Sequence, residues 1–89
     1  MNKMIAFSKQ AWEEYLYWQV QDKKTLKKIN SLLQALQRNN NEVIGKSEKL
    51  KNNLSNHYSL RINSKDRLVY KIKDNIIEIT QCKGHYDDK

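Results

Sequence analysis

Eighty-nine residues, 38% hydrophobic and 30% charged, suit one small domain, 1–89, with room for a single core. Seventeen Lys and Arg against ten Asp and Glu leave a net charge of +7, which makes a polyanion, nucleic acid first, the natural partner; a merely solubilising surface is the alternative. No apolar run approaches the roughly 20 residues needed to cross a bilayer, the N-terminus lacks a secretory signal's apolar stretch, and the single cysteine excludes an internal disulfide or a multi-cysteine zinc site, so a cytoplasmic chain is expected.

Residues 3–7, KMIAF, read as a short strand. Ser8 then has the chemistry of an N-cap for a helix from about Lys9 to Gln21, whose apolar face is expected at Trp12, Tyr15, Leu16 and Gln19. Asp22 is placed to cap a second helix, from about Lys23 to Asn39, with Leu26, Ile29, Leu33 and Leu36 as its stripe. Lys23, Lys24, Lys27 and Lys28 mostly flank that stripe and read as a solvated face. So tight a break between two amphipathic helices predicts a helical hairpin. Residues 39–53 read as a basic, polar loop with a short strand near Leu50. The Met, Trp and remaining Tyr side chains are assigned to the core.

The final third alternates with period two, as strands do. Tyr58, Leu60 and Ile62 form one face, as do Leu68, Tyr70 and Ile72 in the following run. Asp74-Asn75 suits a two-residue turn. Closing it pairs Ile72 with Ile77, Tyr70 with Ile79 and Lys71 with Glu78, an opposite-charge cross-strand pair. The preceding turn, NSKD, then sets Arg61 roughly against Val69. Arg61, Arg67, Lys71 and Lys73 fall on the face away from the helices, and Cys82 falls opposite Arg67. The predicted architecture is α+β, in the order β-α-α-β-β-β, with a helical hairpin on one face of a mainly antiparallel sheet and a basic face on the other.

That register brings His85 and Tyr86 out beside Arg67. Imidazole, with an ordinary pKa near ~6.5, is able to donate a proton to a leaving oxygen at neutrality. A guanidinium grips phosphate through two bonds, and an aromatic ring stacks on an unpaired base. His57, at a strand start, reads as structural, and Cys82 as a buried thiol. From these residues alone, an RNA-cutting site and a non-catalytic nucleic-acid-binding face both remain open.

The stretches WEEYLYWQ, KKIN, GKSEKLKNNLS and RLVY, with the closing Cys82 and His85-Tyr86, resemble the YoeB-type toxins of the RelE/ParE superfamily over nearly the whole chain. The family stretch often reads GKPEPLK; both prolines are absent here, and Asp87-Asp88-Lys89 extends the usual terminus. The resemblance implies a RelE-like microbial RNase fold and a toxin of a type II toxin–antitoxin system, an endoribonuclease that cleaves mRNA in the ribosomal A site. It implies that Glu48 is the general base for the ribose 2′-hydroxyl, that Arg67 stabilises phosphate charge, that His85 is the general acid and that Tyr86 positions substrate. Lys51 and Arg61 align with RNA-binding residues, and Lys71 and Lys73 join them on the basic face. Because RNA carries its own nucleophile, no metal or cofactor is called for. Also implied are a cognate acidic antitoxin, operator DNA bound only by the toxin–antitoxin complex, and a homodimer; any exposed parts of Trp12, Tyr17 or Trp18 are candidates for its interface, which the sequence does not locate. The related ParE-like inhibition of a topoisomerase, which has no need of an acid–base pair, is the other family alternative.

Overall fold

A computed structural model describes residues 3–51 and 54–85. Strand β1 (Met4–Phe7) leads into α1 (Lys9–Gln21), and Ser8 caps that helix by accepting the Ala11 N–H at 3.1 Å. Asp22 ends one helix and starts the next. Its own N–H donates to Trp18 O, while its carboxylate accepts the Lys24 and Thr25 N–H groups, each at 3.1 Å, and the Thr25 hydroxyl at 2.8 Å. A single residue that satisfies orphan groups of both helices leaves no slack between them, hence the tight hairpin. Helix α2 (Lys23–Gln37) buries Thr25, Ile29, Leu32 and Leu36, and its four flanking lysines are exposed. It stops two residues short of the expected Asn39, which takes a left-handed φ of 56°; Asn40 then caps a one-turn helix, α3 (Asn41–Ile44), inside the segment expected to be loop.

The face of α1 differs from expectation. Ala11 and Trp18 are buried and Glu14 and Tyr15 half-buried, whereas Trp12, Leu16, Tyr17 and Gln19 are exposed. Six large apolar side chains, Trp12, Tyr15, Leu16, Tyr17, Trp18 and Val20, surround this helix, so periodicity alone does not select the buried side. Hydrogen bonds do: Trp18 Nε1–H donates to Cys82 O at 2.9 Å, and Glu14 Oε1 accepts the Cys82 N–H at 2.7 Å. Trp12 instead joins an aromatic cluster with Phe7 and Tyr15, and Met4 is 64% exposed rather than core.

Strands β2 (Glu48–Lys49), β3 (His57–Arg61), β4 (Arg67–Lys73) and β5 (Ile76–Gln81) complete a five-stranded sheet in the order β1-β5-β4-β3-β2. Only β1 and β5 pair in parallel; the other neighbours are antiparallel. The last hairpin has the expected register, Ile72 with Ile77 and Tyr70 with Ile79, turning at Asp74 with φ 57°. Lys71 Nζ lies 3.3 Å from Glu78 Oε1.

Two registers depart from expectation. Arg61 pairs with Arg67, and Ser59 takes the place opposite Val69. The slip is an even number of residues, so both arginines keep their face. In β5 the ladder jumps from Tyr70–Ile79 to Val69–Gln81, leaving Thr80 as an extra residue, a bulge. The Thr80 hydroxyl donates to Val69 O at 3.3 Å, and Ser8, the α1 cap, bonds Ile79 O and Thr80 O. The bulge inverts the alternation: Gln81 faces away from the helices, and Cys82 enters the core beside Ala11 instead of lying opposite Arg67.

Ile29, Leu36, Leu68, Ile77 and Ile79 are fully buried between helices and sheet. Each contributes about 1.5–3 kcal/mol by leaving water. The helices pack over β1 and β5; at the opposite corner Ile72 stays 42% exposed although it occupies core register.

Candidate active site

Side chains that are partners in the ladder share a face. The face turned away from the helices therefore carries rows that cross the sheet. One row reads Glu48, Ser59, Val69, Gln81; the next, toward the Arg67 end of β4, holds Arg61 opposite Arg67. Ser59 and Val69 are buried, so the middle of this face is packed rather than wet. Glu48 and Arg61 are diagonal neighbours, a relation that sets side chains about 7–8 Å apart.

Two like charges directly opposite each other destabilise a sheet. Arg61 and Arg67 stand opposite each other in this way, an arrangement that a bound anion between them would relieve. The Arg67 guanidinium is already oriented. Its Nη1 donates to Asn63 O at 2.8 Å and Asp66 O at 3.0 Å, both carbonyls of the β3–β4 turn. That turn is itself built by Asn63 Oδ1, which accepts the Lys65 and Asp66 N–H groups at 2.8 Å. Guanidinium has five donors, and these contacts occupy only one of its nitrogens.

The chain's last described residues are clasped to the same turn. Gly84 N–H donates to Asp66 Oδ1 at 2.6 Å, and Gly84 O accepts the Arg67 N–H at 3.0 Å. Gly84 has φ 79°, the left-handed region that glycine adopts without steric cost. His85 follows it directly and is exposed. Tyr86 and the extension 87–89 lie outside the described residues.

Glu48 is exposed, and what fixes its strand is the preceding residue: the Ser47 and Tyr70 hydroxyls are 2.6 Å apart. Tyr70 is buried and stacks on Tyr58 at 5.6 Å. Burial pushes the Tyr70 phenol above its ordinary pKa, although the Ser47 hydrogen bond opposes that shift. A serine bonded to a core tyrosine thus stands where the resembling family stretch carries proline.

Lys51 is exposed where the β2–β3 loop begins. Lys71 and Lys73 share the open face but lie toward the far end of β4, and Lys71 is paired with Glu78. The fold therefore gathers Glu48, Arg61, Arg67 and the His85 backbone at one end and leaves these two lysines at the other. His57, in register with Lys71, has a buried Nδ1 with no hydrogen-bond partner among the described residues. Asp66, Ser47 and Tyr70 emerge as supports that sequence reading did not single out. The signal for Asp66 was the NSKD turn; for the Ser47–Tyr70 pair there was none, since it links distant segments.

Residues 7–86 match the family described as the YoeB-like toxin of bacterial type II toxin-antitoxin systems. Toxin YoeB of Synechocystis sp. is 50% identical over 82 residues, covering 92% of this chain and 95% of that protein. Toxin YoeB of Escherichia coli K12 is 44% identical, covering 92% and 98%. The solved structure of the YoeB dimer from Staphylococcus aureus superposes with a TM-score of 0.83 at 51% identity, covering 97% of this chain and all of that one, and the YoeB-YefM complex from the same organism superposes at 0.80. With its α+β order, its mixed five-stranded sheet and this match over most of its length, the chain belongs to the YoeB family of toxins of bacterial type II toxin–antitoxin systems.

Proposed function

We infer that this toxin is an endoribonuclease that cuts mRNA, in the ribosomal A site, by acid–base attack of a ribose 2′-hydroxyl on the adjacent phosphate. Glu48 takes the 2′-hydroxyl proton, Arg67 and Arg61 neutralise the phosphorane, and His85 protonates the departing 5′ oxygen. Tyr86 positions substrate. Lys51, Lys71 and Lys73 hold the RNA backbone on either side. The products are a 2′,3′-cyclic phosphate and a 5′-hydroxyl. The observation that carries this reading is the cross-strand Arg61–Arg67 pair, next to the Glu48 row and joined through Arg67 to the backbone before His85.

A positioned acid or base contributes typically about 10²–10⁴-fold, and a preorganised donor to developing charge a few kcal/mol more. Glu48 is exposed, so its alignment comes with the bound RNA rather than from burial. The chain works as one cytoplasmic domain, 1–89, and forms a homodimer. Its antitoxin is acidic and orders on binding; only their complex binds operator DNA. For the dimer, Trp12 and Tyr17 offer exposed surface, whereas Trp18 is buried.

The test is primer extension on mRNA incubated with ribosomes and purified protein, with chemical identification of the ends. Discrete cuts bearing cyclic phosphate, suppressed in folded Glu48→Gln, Arg67→Ala and His85→Ala proteins, are expected. Salt-sensitive RNA binding without cyclic-phosphate ends would overturn the reading in favour of a binding module. Topoisomerase inhibition without RNA cleavage would do so in favour of ParE-like activity.

A further inference from the structure

The corner of the sheet not covered by helices is a built groove. It has a volume of about 400 Å³ and is lined by Lys49, Asn56, Tyr58, Lys71, Ile72 and Lys73. Tyr58 and Ile72 supply an apolar lining; the Tyr58 ring is held by its stack on buried Tyr70. Asn56, at a left-handed φ of 79°, and three lysines complete the lining. Lys71 is paired with Glu78; Lys49 and Lys73 are exposed, and no carboxylate pairs with either among the described residues.

We propose that this groove is a nucleotide subsite, in which an unstacked base of single-stranded RNA lies against Tyr58 and Ile72 while Lys49 and Lys73 hold its flanking phosphates. Three observations favour RNA over an acidic peptide. An aromatic ring fixed from behind is a platform suited to a planar base. A side-chain amide beside it matches the donor and acceptor edges that unpaired bases present. Lysine acts on phosphate as a point charge, without the fork a carboxylate would favour. By strand alternation Tyr58, Ile72 and Lys49, the cross-strand partner of Tyr58, lie on the helix side of the sheet, the face opposite Glu48, Arg61 and Arg67. An RNA held at both places passes round the end of the sheet, where Lys73 closes the strand that Arg67 begins, about 20 Å away along an extended chain. At that distance it reads a nucleotide flanking the cut, not the one cut. This inference rests on the RNA-cleaving reading above and supplies that site with a second point of grip.

The experiment uses the whole chain and a 2′-O-methyl RNA oligonucleotide, which cannot be cut, followed by fluorescence anisotropy over a salt series. The Lys49→Glu/Lys73→Glu protein is expected to bind at least about tenfold more weakly. Its log–log salt slope falls by about 1.4, since each single-strand phosphate contact accounts for ~0.7. Tyr58→Leu is expected to weaken binding at least about fivefold while leaving the slope unchanged. Circular dichroism checks each fold, and Tyr58→Phe, which keeps the ring, is expected to bind as the parent does. Unchanged RNA affinity in the folded double-lysine variant overturns the proposal. So does a variant that loses its antitoxin but keeps its RNA, because the groove then takes an acidic peptide. If the parent protein binds this RNA through the groove yet makes no cyclic-phosphate ends on ribosome-bound mRNA, the nuclease reading fails and the subsite stands.

Discussion

Asp66 and Gly84 close the site from behind: the carboxylate accepts the glycine N–H at 2.6 Å, while the glycine carbonyl holds the N–H of the residue after Asp66, Arg67, at 3.0 Å. Two bonds in opposite senses lock a terminal segment to a turn. The segment precedes the candidate acid directly, and the turn orients the candidate phosphate-binding arginine.

Asp66→Ala is therefore expected to lower mRNA cleavage about 10- to 100-fold, the scale of a misplaced catalytic group. Asp66→Asn keeps an acceptor oxygen and should recover most of that loss. Single-turnover cleavage by the two variants checks this; equal damage by both would deny the clasp its role.

Tyr70→Phe leaves the Ser47 hydroxyl without its core partner. It should cost about 0.5–1.5 kcal/mol of stability, read by urea unfolding, and should slow cleavage further by loosening the strand that carries Glu48. Ser47→Ala should reproduce the loss of activity, since it cuts the same tether from the other side.

The cap at Asp22 carries a pH dependence. The Thr25 hydroxyl first, then the Thr25 N–H, hold its carboxyl below the usual carboxylate range against an opposing effect of desolvation, with the Lys24 N–H and ammonium adding less than either. In the window between the lowered folded value and the ordinary value near ~3.9, the unfolded chain binds more protons. Stability from this cap is thus complete above that window and is lost as pH falls through the folded value. Thermal unfolding between about pH 2 and pH 5 should show a shallower acid slope for Asp22→Ala than for the parent.

Burial, reinforced by the Glu14 and Asp66 carboxylates, pushes the Cys82 thiol up to about 12. Little thiolate exists near neutrality, and the sulfur contacts Ala11 O at 3.6 Å inside the core. A disulfide reagent at pH 8 should leave the native protein unmodified and label it only as denaturant unfolds it. Fast labelling of the native protein would show that α1 and the end of β5 come apart readily.

What could be read from sequence was what is local. Ser8 and Asp22 announce helix starts through bonds to residues two or three away, and Asp74-Asn75 announces a turn that also satisfies Lys71 and Glu78. The buried side of α1 was not legible because Trp18 and Glu14 are drawn inward by Cys82, more than sixty residues on. The Thr80 bulge depends on Ser8 in the same way. At the candidate site, the face of Arg61 and Arg67 followed from parity alone and survived an error in register. The supports of the site did not follow, since Ser47 with Tyr70 and Asp66 with Gly84 meet only in the folded chain.

The extra residue in β5 makes the end of the chain a matter of counting. Were Thr80 counted into the ladder as an ordinary residue, the Cys82 sulfur would turn toward solvent, the Gln81 amide would be forced among Leu68 and Ala11, and Trp18 would lose its acceptor. Single-residue insertions in this strand, and deletions other than that of Thr80 itself, should therefore be purged far more strongly than substitutions. Other tolerated changes of length there should come in compensating pairs, which a library of one- and two-residue deletions screened for soluble expression would expose.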